Sequence, residues 1–394
     1  MANLFDYLVW RGDLNFSQAP LNAVDSLIFC RMSYLPLEGL VPSPGRGEPV
    51  LLGEVAEQFR KRGYETTRTL LMPKDGELLQ ELGKSERFAS CKLCGYVDKT
   101  CEETEEQFSA VSVLLPTNKL YFAFRGTDNT LVGWKEDFNM SFLSTVPSQQ
   151  EAVEYLRQMA EFLEGEIFTG GHSKGGNLAV YASAFCGNPV QSRIRKVYNH
   201  DGPGFSAEVI HSAGYQAVKE RCFTYVPQSS VVGMLLEHEE EYTVVHSTQV
   251  GIFQHDAYSW EVLGNGFVTE KHITESSALL DRSLKEWVAS MSTAQRKQMV
   301  DTLFSLLGAV DVKKMSEAPS MILKNAGKLI MAVRDMDDNT KAMLSRTIRE
   351  LLAVVRKNFA AYVPIRKRIQ ESGSVLSEIE TETSVEPEIE REKK

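Results

Sequence analysis

The chain has 394 residues, of which 43% are hydrophobic and 24% are charged, and its formal net charge is −10. This length is enough for one large domain and a smaller appendage. The acidic balance, without a recognisable reading motif, argues against a nucleic-acid partner, and no run approaches the ~18 apolar residues of an integral membrane segment.

The N-terminal residues are not typical of a secretory signal. Asp6, Arg11 and Asp13 interrupt the stretch where a signal peptide requires an apolar run. The sequence therefore predicts a cytoplasmic protein.

Six cysteines occur, and Cys91, Cys94 and Cys101 form a C-x2-C pair with a third thiol nearby. A metal site is one interpretation of this spacing, but no second pair or adjacent histidine follows to complete four ligands. We expect reduced thiols without disulfides, metal or cofactor.

Two β-rich runs, residues 108–115 and 119–124, are separated by Pro116-Thr117-Asn118, which predicts a hairpin. The second run ends in a turn, Arg125-Gly126-Thr127. Residues 149–163 carry apolar side chains at helical spacing and lead into the short apolar run 167–169. Helices that alternate with strands predict a mainly parallel sheet with helices on both faces.

The segment around Ser173 carries the clearest functional signal. Ser173 is the apex of a G-x-S-x-G pattern that follows the run 167–169 and precedes a helical pattern, which is typical of a nucleophile elbow. Gly171 and Gly175 leave room around a strained apical residue. The alternative is a glycine-rich connection with a surface serine.

A serine nucleophile requires a base and an acid, which follow it along the chain in α/β-hydrolases. Residues 242–245 predict a last strand, so we expect the base in the loop beyond it: His255 is the candidate, with His246 in reserve. Asp201 ends the strand predicted at 195–200 and is the candidate acid. Its alternative role is to cap a Gly-Pro turn.

The oxyanion of such a reaction requires backbone donors. We expect one from the turn at Thr127, together with its hydroxyl, and the second from the backbone of Lys174, the residue after the nucleophile.

These segments resemble known families. Phe124-Arg125-Gly126-Thr127, Trp134, Asp137 and the elbow are similar to the class 3 lipase pattern of the α/β-hydrolase fold. Over roughly residues 1–270 the chain resembles more closely an uncharacterised bacterial family of α/β-hydrolase-like proteins, a domain-of-unknown-function family related to those lipases. Its marks are the segments 6–13, 199–205 and 255–260 and the elbow.

The resemblance has one departure. Class 3 lipases take their acid from the turn after the next strand, and here residues 227–230 contain no carboxylate. Asp201 must then act from the preceding turn, as in pancreatic-type lipases. Otherwise the chain is a Ser-His dyad or an inactive relative.

Beyond residue 275 strand signals are scarce and helical patterns dominate. Ser292 and Gln295 form a capping box, and a longer helix is predicted from Asn339 to before Pro364. The segment 341–368 is basic and has two interpretations: peripheral contact with a membrane surface, or a solvated helix face. Residues 371–394 carry eight Glu against three basic residues and predict a disordered acidic tail.

The sequence thus predicts an α/β-hydrolase domain over 1–274, a helical domain over 275–370 and the tail 371–394. The expected function is a serine hydrolase acting on a small-molecule or lipid-like carboxylic ester through Ser173, His255 and Asp201. A thioesterase or peptidase is a near alternative, and a non-catalytic binding or interaction protein is the alternative of another class.

Overall fold

The structure is a computed structural model that describes residues 1–63, 72–354 and 356–357. It is an α/β fold whose strands are β1 (Val50–Leu51), β2 (Lys92–Cys101), β3 (Glu106–Leu115), β4 (Lys119–Phe124), β5 (Glu166–His172), β6 (Ile194–His200), β7 (Cys222–Pro227), β8 (Tyr242–Val245), β9 (Val262–Leu263), β10 (Gly266–Phe267) and β11 (Thr269–Glu270).

The helices of the first part of the chain are α1 (Leu4–Arg11), α2 (Ala23–Met32), α3 (Leu52–Lys61), α4 (Pro73–Lys84), α5 (Glu86–Ala89), α6 (Leu131–Asn139), α7 (Pro147–Phe162), α8 (Lys174–Phe185), α9 (Asn188–Gln191), α10 (Ala207–Ile210) and α11 (Ala213–Val218). Those that follow the last strand are α12 (Glu275–Ala289), α13 (Thr293–Ala309), α14 (Ala318–Lys324) and α15 (Ala326–Asp335). Residues 338–354 are also helical. In the described part of the chain, four short 3-10 helices cover Lys219–Arg221, Gly251–His255, Ala257–Ser259 and Met315–Glu317.

Within the described residues, nine strands form one sheet in the order β1-β2-β3-β4-β5-β6-β7-β8-β11. The pairings from β4 through β8 are parallel, and those of β1 with β2, β2 with β3, β3 with β4 and β8 with β11 are antiparallel. The prediction of a mainly parallel sheet is therefore correct only for the central run. The physical reason is connection length, since short turns such as residues 116–118 keep neighbouring strands antiparallel, whereas helical crossovers make them parallel.

The sheet separates two apolar layers. In β4, Tyr121 and Ala123 belong to the buried cluster that contains α2. Leu120, Phe122 and Phe124 belong to the cluster on the opposite face, with α7 and α8. This alternation is the period of two that a strand imposes on its side chains. Helices cover both faces of the central strands, as predicted.

The cysteines lie within these layers. Cys91 belongs to the cluster that contains α2, whereas Cys94 belongs to the cluster on the opposite face. Burial raises the pKa of the Cys91 thiol to about 12 and that of Cys94 to about 11. Two thiols that face opposite layers do not converge on one metal ion.

Several predicted local elements are confirmed. The hairpin 108–124 pairs Ala110 with Phe124 and Leu115 with Lys119, and the capping box at Ser292 and Gln295 has both of its hydrogen bonds.

The predicted acidic tail 371–394 and the end of the basic segment 341–368 lie outside the described residues. None of the helices in the described part of the chain combines the length and the apolar character needed to cross a bilayer.

Candidate active site

Ser173 lies at a sharp turn between β5 and α8. Its backbone adopts φ 60° and ψ −137°, a region that is strained for a residue with a side chain, and its N–H donates to the His200 carbonyl at 2.9 Å. A Cβ at Gly171 would lie 2.0 Å from the backbone of Gly175, so the turn closes only with glycine at that position. The predicted strand, turn and helix are therefore present, with Ser173 half-buried at the apex.

Asp201 and His255 meet from separate segments. Asp201 follows β6, and His255 ends the 3-10 helix Gly251–His255. Nδ1 of His255 lies 2.6 Å from Oδ2 of Asp201. Because an ionised carboxylate only accepts, Nδ1 of His255 carries the proton and Nε2 is left as an acceptor. The Asp201 side chain is fully buried, whereas that of His255 is 26% exposed, so the imidazole is the member of the pair that solvent reaches.

The second oxygen of Asp201 is also held. Its Oδ1 accepts from the Ser230 hydroxyl at 2.5 Å and from the Gly233 N–H at 3.1 Å. Ser230 lies in the turn after β7, where the class 3 lipase pattern has its acid, so in this chain that turn supplies a donor to the acid of the preceding turn. Three donors around one carboxylate fix its orientation toward His255.

The reserve histidine lies elsewhere. His246, which follows β8, contacts Glu270 at 2.8 Å and Glu261 at 3.7 Å. Its ring is engaged with these two carboxylates, and its hydrogen bonds do not reach Asp201 within the described part of the chain. The contact with Asp201 thus favours His255 as the base.

His172 links Ser173 to His255. The His172 Nε2 atom donates to the His255 carbonyl at 2.9 Å, and the two imidazole rings pack with centroids 4.6 Å apart. No hydrogen bond joins the Ser173 hydroxyl to the His255 ring directly in the described structure. The structure therefore brings His255 and Asp201 into contact. The ring that packs on His255 belongs to His172, the residue before Ser173.

The turn at Thr127 packs against the elbow. A Cβ at Gly126 would lie 2.5 Å from the His172 carbonyl oxygen and 2.9 Å from Ser173 Cβ, so only glycine permits this approach. The backbone N–H groups of Thr127 and Lys174 have no acceptor among the described residues, and that of Lys174 is free because it begins α8. Both groups are available to an anion at this turn.

The side chains of Thr127 and Lys174 are committed elsewhere. The Thr127 hydroxyl donates to Asp137. The buried Lys174 ammonium donates to Gln107 Oε1 at 3.0 Å and to Glu136 at 2.9 Å. Burial raises the pKa of Asp137 to about 6, although the positive charge of Lys174 opposes that shift. The expectation that the Thr127 hydroxyl serves an oxyanion is therefore not supported, because its proton is donated to Asp137.

Sequence reasoning assigned no role to several residues around these groups. They are Tyr34, Gln107, Glu136, His172 and Ser230. Asp137 is part of the pattern that carries the family resemblance, and Glu136 could have been noticed because it is next to Asp137 in the sequence. The others come from segments far away along the chain, and a local pattern does not show which of them meet.

An apolar loop precedes His255. Val250, Ile252 and Phe253 are 74%, 61% and 68% exposed, and no residue of 247–254 carries a formal charge. Two surface clefts of about 510 and 590 Å³ lie elsewhere, against β8, β11 and α12, and none of the candidate residues lines them. The apolar loop thus exposes apolar surface immediately before His255 in the chain.

Comparison with protein-family models gives a match over residues 82–305 to a family described as Mbeg1-like, which is lipase-like. The matched span is more than half of the chain and includes Thr127, Ser173, Asp201 and His255. Comparison with curated proteins gives no match.

Proposed function

The chain belongs to the Mbeg1-like family, a lipase-like family, and from this membership and the site geometry we propose that it is a serine hydrolase of the α/β-hydrolase fold. In this proposal it cleaves carboxylic esters, and lipid-like acyl esters in particular, through an acyl-enzyme. Ser173 is the nucleophile, His255 the general base and acid, and Asp201 the residue that orients the base.

Each chemical step uses an atom described above. The Ser173 Oγ attacks the ester carbonyl while His255 Nε2 takes its proton, and the backbone N–H groups of Thr127 and Lys174 receive the oxyanion. The C–O bond to the alcohol then breaks, and His255 returns the proton to the leaving oxygen. Water then attacks the acyl carbonyl while His255 takes its proton. The bond to Ser173 Oγ breaks, and His255 returns the proton to Oγ, which releases the carboxylic acid and regenerates Ser173.

The observation that carries this proposal is the 2.6 Å hydrogen bond between His255 and Asp201. The two residues are 54 positions apart in the chain, and they are joined through Nδ1 of His255, which leaves Nε2 free to accept a proton. The strained backbone of Ser173 supports the same assignment, since strain of this kind clusters at functional sites.

The substrate class is supported by the loop before His255. Val250, Ile252 and Phe253 expose most of their apolar surface next to the proposed base. Apolar surface that a folded protein leaves in water is commonly used in binding, and an acyl chain is its simplest match.

Fluorophosphonate labelling tests the proposal. We expect the probe to label the intact protein, Ser173→Ala to abolish labelling, and His255→Ala to slow it by at least about a thousandfold. His246→Ala is the matched control and should label at the rate of the unsubstituted chain. Absence of labelling in the folded protein would favour a non-catalytic binding protein instead.

A further inference from the structure

Two side chains connect the three segments of the proposed site. The segments are the turn at Thr127, the elbow at Ser173 and the loop that ends at His255. The connecting side chains are Tyr34, just beyond α2, and His172, at the end of β5. Neither has a role in the chemistry described above.

Tyr34 joins the turn to the elbow. Its hydroxyl accepts the Gly126 N–H at 3.1 Å and donates to the His172 carbonyl at 3.2 Å. The Arg31 guanidinium lies 4.0 Å from the centre of the Tyr34 ring and is itself held by two hydrogen bonds to Asp75. Burial raises the pKa of Tyr34 to about 12, so the hydroxyl keeps its proton and its bond to the carbonyl.

His172 joins the elbow to the loop of the base. A backbone carbonyl only accepts, so the 2.9 Å contact with the His255 oxygen requires the proton on His172 Nε2. The side chain is buried, and this burial holds the pKa of His172 well below its usual range, so the ring remains neutral. The ring also packs against that of His255, with centroids 4.6 Å apart.

We propose that Tyr34 and His172 are positioning residues that set the distances among the Thr127 N–H, the Ser173 hydroxyl and the His255 ring. The inference rests on the proposed function. Because His172 and Ser173 are neighbours in the chain, a hydrogen bond from His172 to the His255 backbone fixes the base relative to the nucleophile. Tyr34 does the same for the oxyanion turn.

The size of the effect follows from geometry. Displacing reacting groups by about 1 Å can cost on the order of a hundredfold in rate. Loss of either link should therefore lower kcat by about 10- to 100-fold and leave KM nearly unchanged, because neither side chain is proposed to bind the ester.

Paired substitutions test the role of His172. His172→Leu removes the donor, whereas His172→Gln keeps an N–H group at a similar distance from the backbone. With a short-chain p-nitrophenyl ester, we expect His172→Leu to lose kcat and His172→Gln to recover most of it. Equal kcat in both variants, whether normal or equally low, would overturn the role of the hydrogen bond.

Tyr34→Phe removes only the hydroxyl and should lower kcat without changing KM. Because it also leaves the buried Gly126 N–H without its acceptor, we expect the melting temperature to fall slightly. Tyr155→Phe is the matched control, since Tyr155 is buried in the opposite layer and its hydroxyl bonds to Ser112. It should retain normal kcat. Normal kcat in Tyr34→Phe would contradict its part of the proposal.

A measurement that needs no activity separates this inference from the proposed function. The proton between His255 Nδ1 and Asp201 should give a low-field NMR signal in the unsubstituted chain. His172→Leu should broaden or remove that signal, and His172→Gln should retain it. A signal unchanged in His172→Leu would refute the positioning role, whereas failure of Ser173 to label would refute the proposed chemistry alone.

Discussion

Thr127 shows how a single side chain can be tied to a partly buried carboxyl group. Its hydroxyl donates to Asp137 Oδ2, while Asp137 Oδ1 is buried without a hydrogen-bond partner. The Lys174 ammonium lies 3.8 Å from that oxygen and is bonded to Glu136 instead. A carboxylate desolvated in this way resists ionisation, which is why burial raises the pKa of Asp137 to about 6.

Asp137→Asn should reveal the free-energy cost of ionising the Asp137 carboxyl group. With a native pKa near 6, above that of the unfolded chain, Asp137 contributes stability below about pH 4 that is lost as pH rises to 6. Asparagine can still accept from Thr127 and does not titrate. We expect the free energy of unfolding of the variant, relative to that of the unsubstituted chain, to be roughly 1–2 kcal/mol more favourable at pH 7 than at pH 4.5, measured by urea unfolding. An identical difference at both pH values would contradict the assignment.

At the scale of elements, the loop before His255 is firmly anchored while its apolar side chains point outward. The Gln254 side chain accepts from the Ser229 N–H at 2.6 Å and donates to the Gln249 carbonyl at 2.9 Å. The Gln254 carbonyl accepts from the indole of Trp260 at 2.9 Å. The exposure of Ile252 and Phe253 is therefore part of a fixed conformation, not the result of an unanchored chain.

A double substitution, Ile252→Ser with Phe253→Ser, should separate long-chain from short-chain esters. Removing two exposed apolar side chains leaves the His255–Asp201 pair intact but removes surface for an acyl chain. We expect kcat/KM to fall about tenfold or more for a long-chain ester and to change less than about twofold for a short one. Leu263→Ser, at a residue 72% exposed outside this loop, is the control. Equal losses on both esters would refute a role in acyl binding.

At the scale of the whole molecule, the helices after residue 274 pack against the segment that follows the turn at Thr127. The Leu131 N–H donates to the Lys313 carbonyl, and the Met315 N–H donates to the Asn129 carbonyl at 2.9 Å. Phe138 of α6 packs against Phe304 of α13 with ring centres 5.7 Å apart. The later helices thus support one edge of the proposed oxyanion turn.

Two buried neutral histidines contribute to the way the fold responds to acid. His200 is fully buried, with Nε2 2.8 Å from the Ser26 hydroxyl, and burial lowers its pKa to about 3. The pKa of His172 is also well below its usual range because the ring is buried. Unfolded histidines bind a proton near pH 6.5. The stability that these two groups contribute is therefore present above that pH and is lost as pH falls toward 3.

Unfolding at pH 7, 6 and 5 should show this dependence. Below pH 6.5 each histidine lowers the free energy of unfolding by about 1.4 kcal/mol per pH unit. Below pH 6 Asp137 has an effect of the same size and opposite sign, which cancels the contribution of one histidine. We expect the free energy of unfolding to fall by roughly 1–3 kcal/mol from pH 7 to 5, and by less in His200→Gln. Equal stability of the unsubstituted chain at pH 5 and pH 7 would contradict this prediction.

Local elements of the fold could be predicted from the sequence because each depends on neighbours along the chain. The hairpin at 116–118, the turn at Ser173 between strand and helix, and the capping box at Ser292 are of this kind. Apart from that hairpin, the antiparallel pairings of the sheet were not predicted, because which strands become neighbours depends on how each connection packs.

By itself, the sequence determined the strained apex at Ser173 and the positions of Asp201 and His255 on loops that follow strands. Only the tertiary structure decided that Asp201 contacts His255, that His246 faces Glu270, and that Tyr34 and His172 connect the three segments. The physical reason is range. Turn and strand patterns arise from steric limits within a few residues, whereas a hydrogen bond between distant residues forms only where the packed core brings donor and acceptor together.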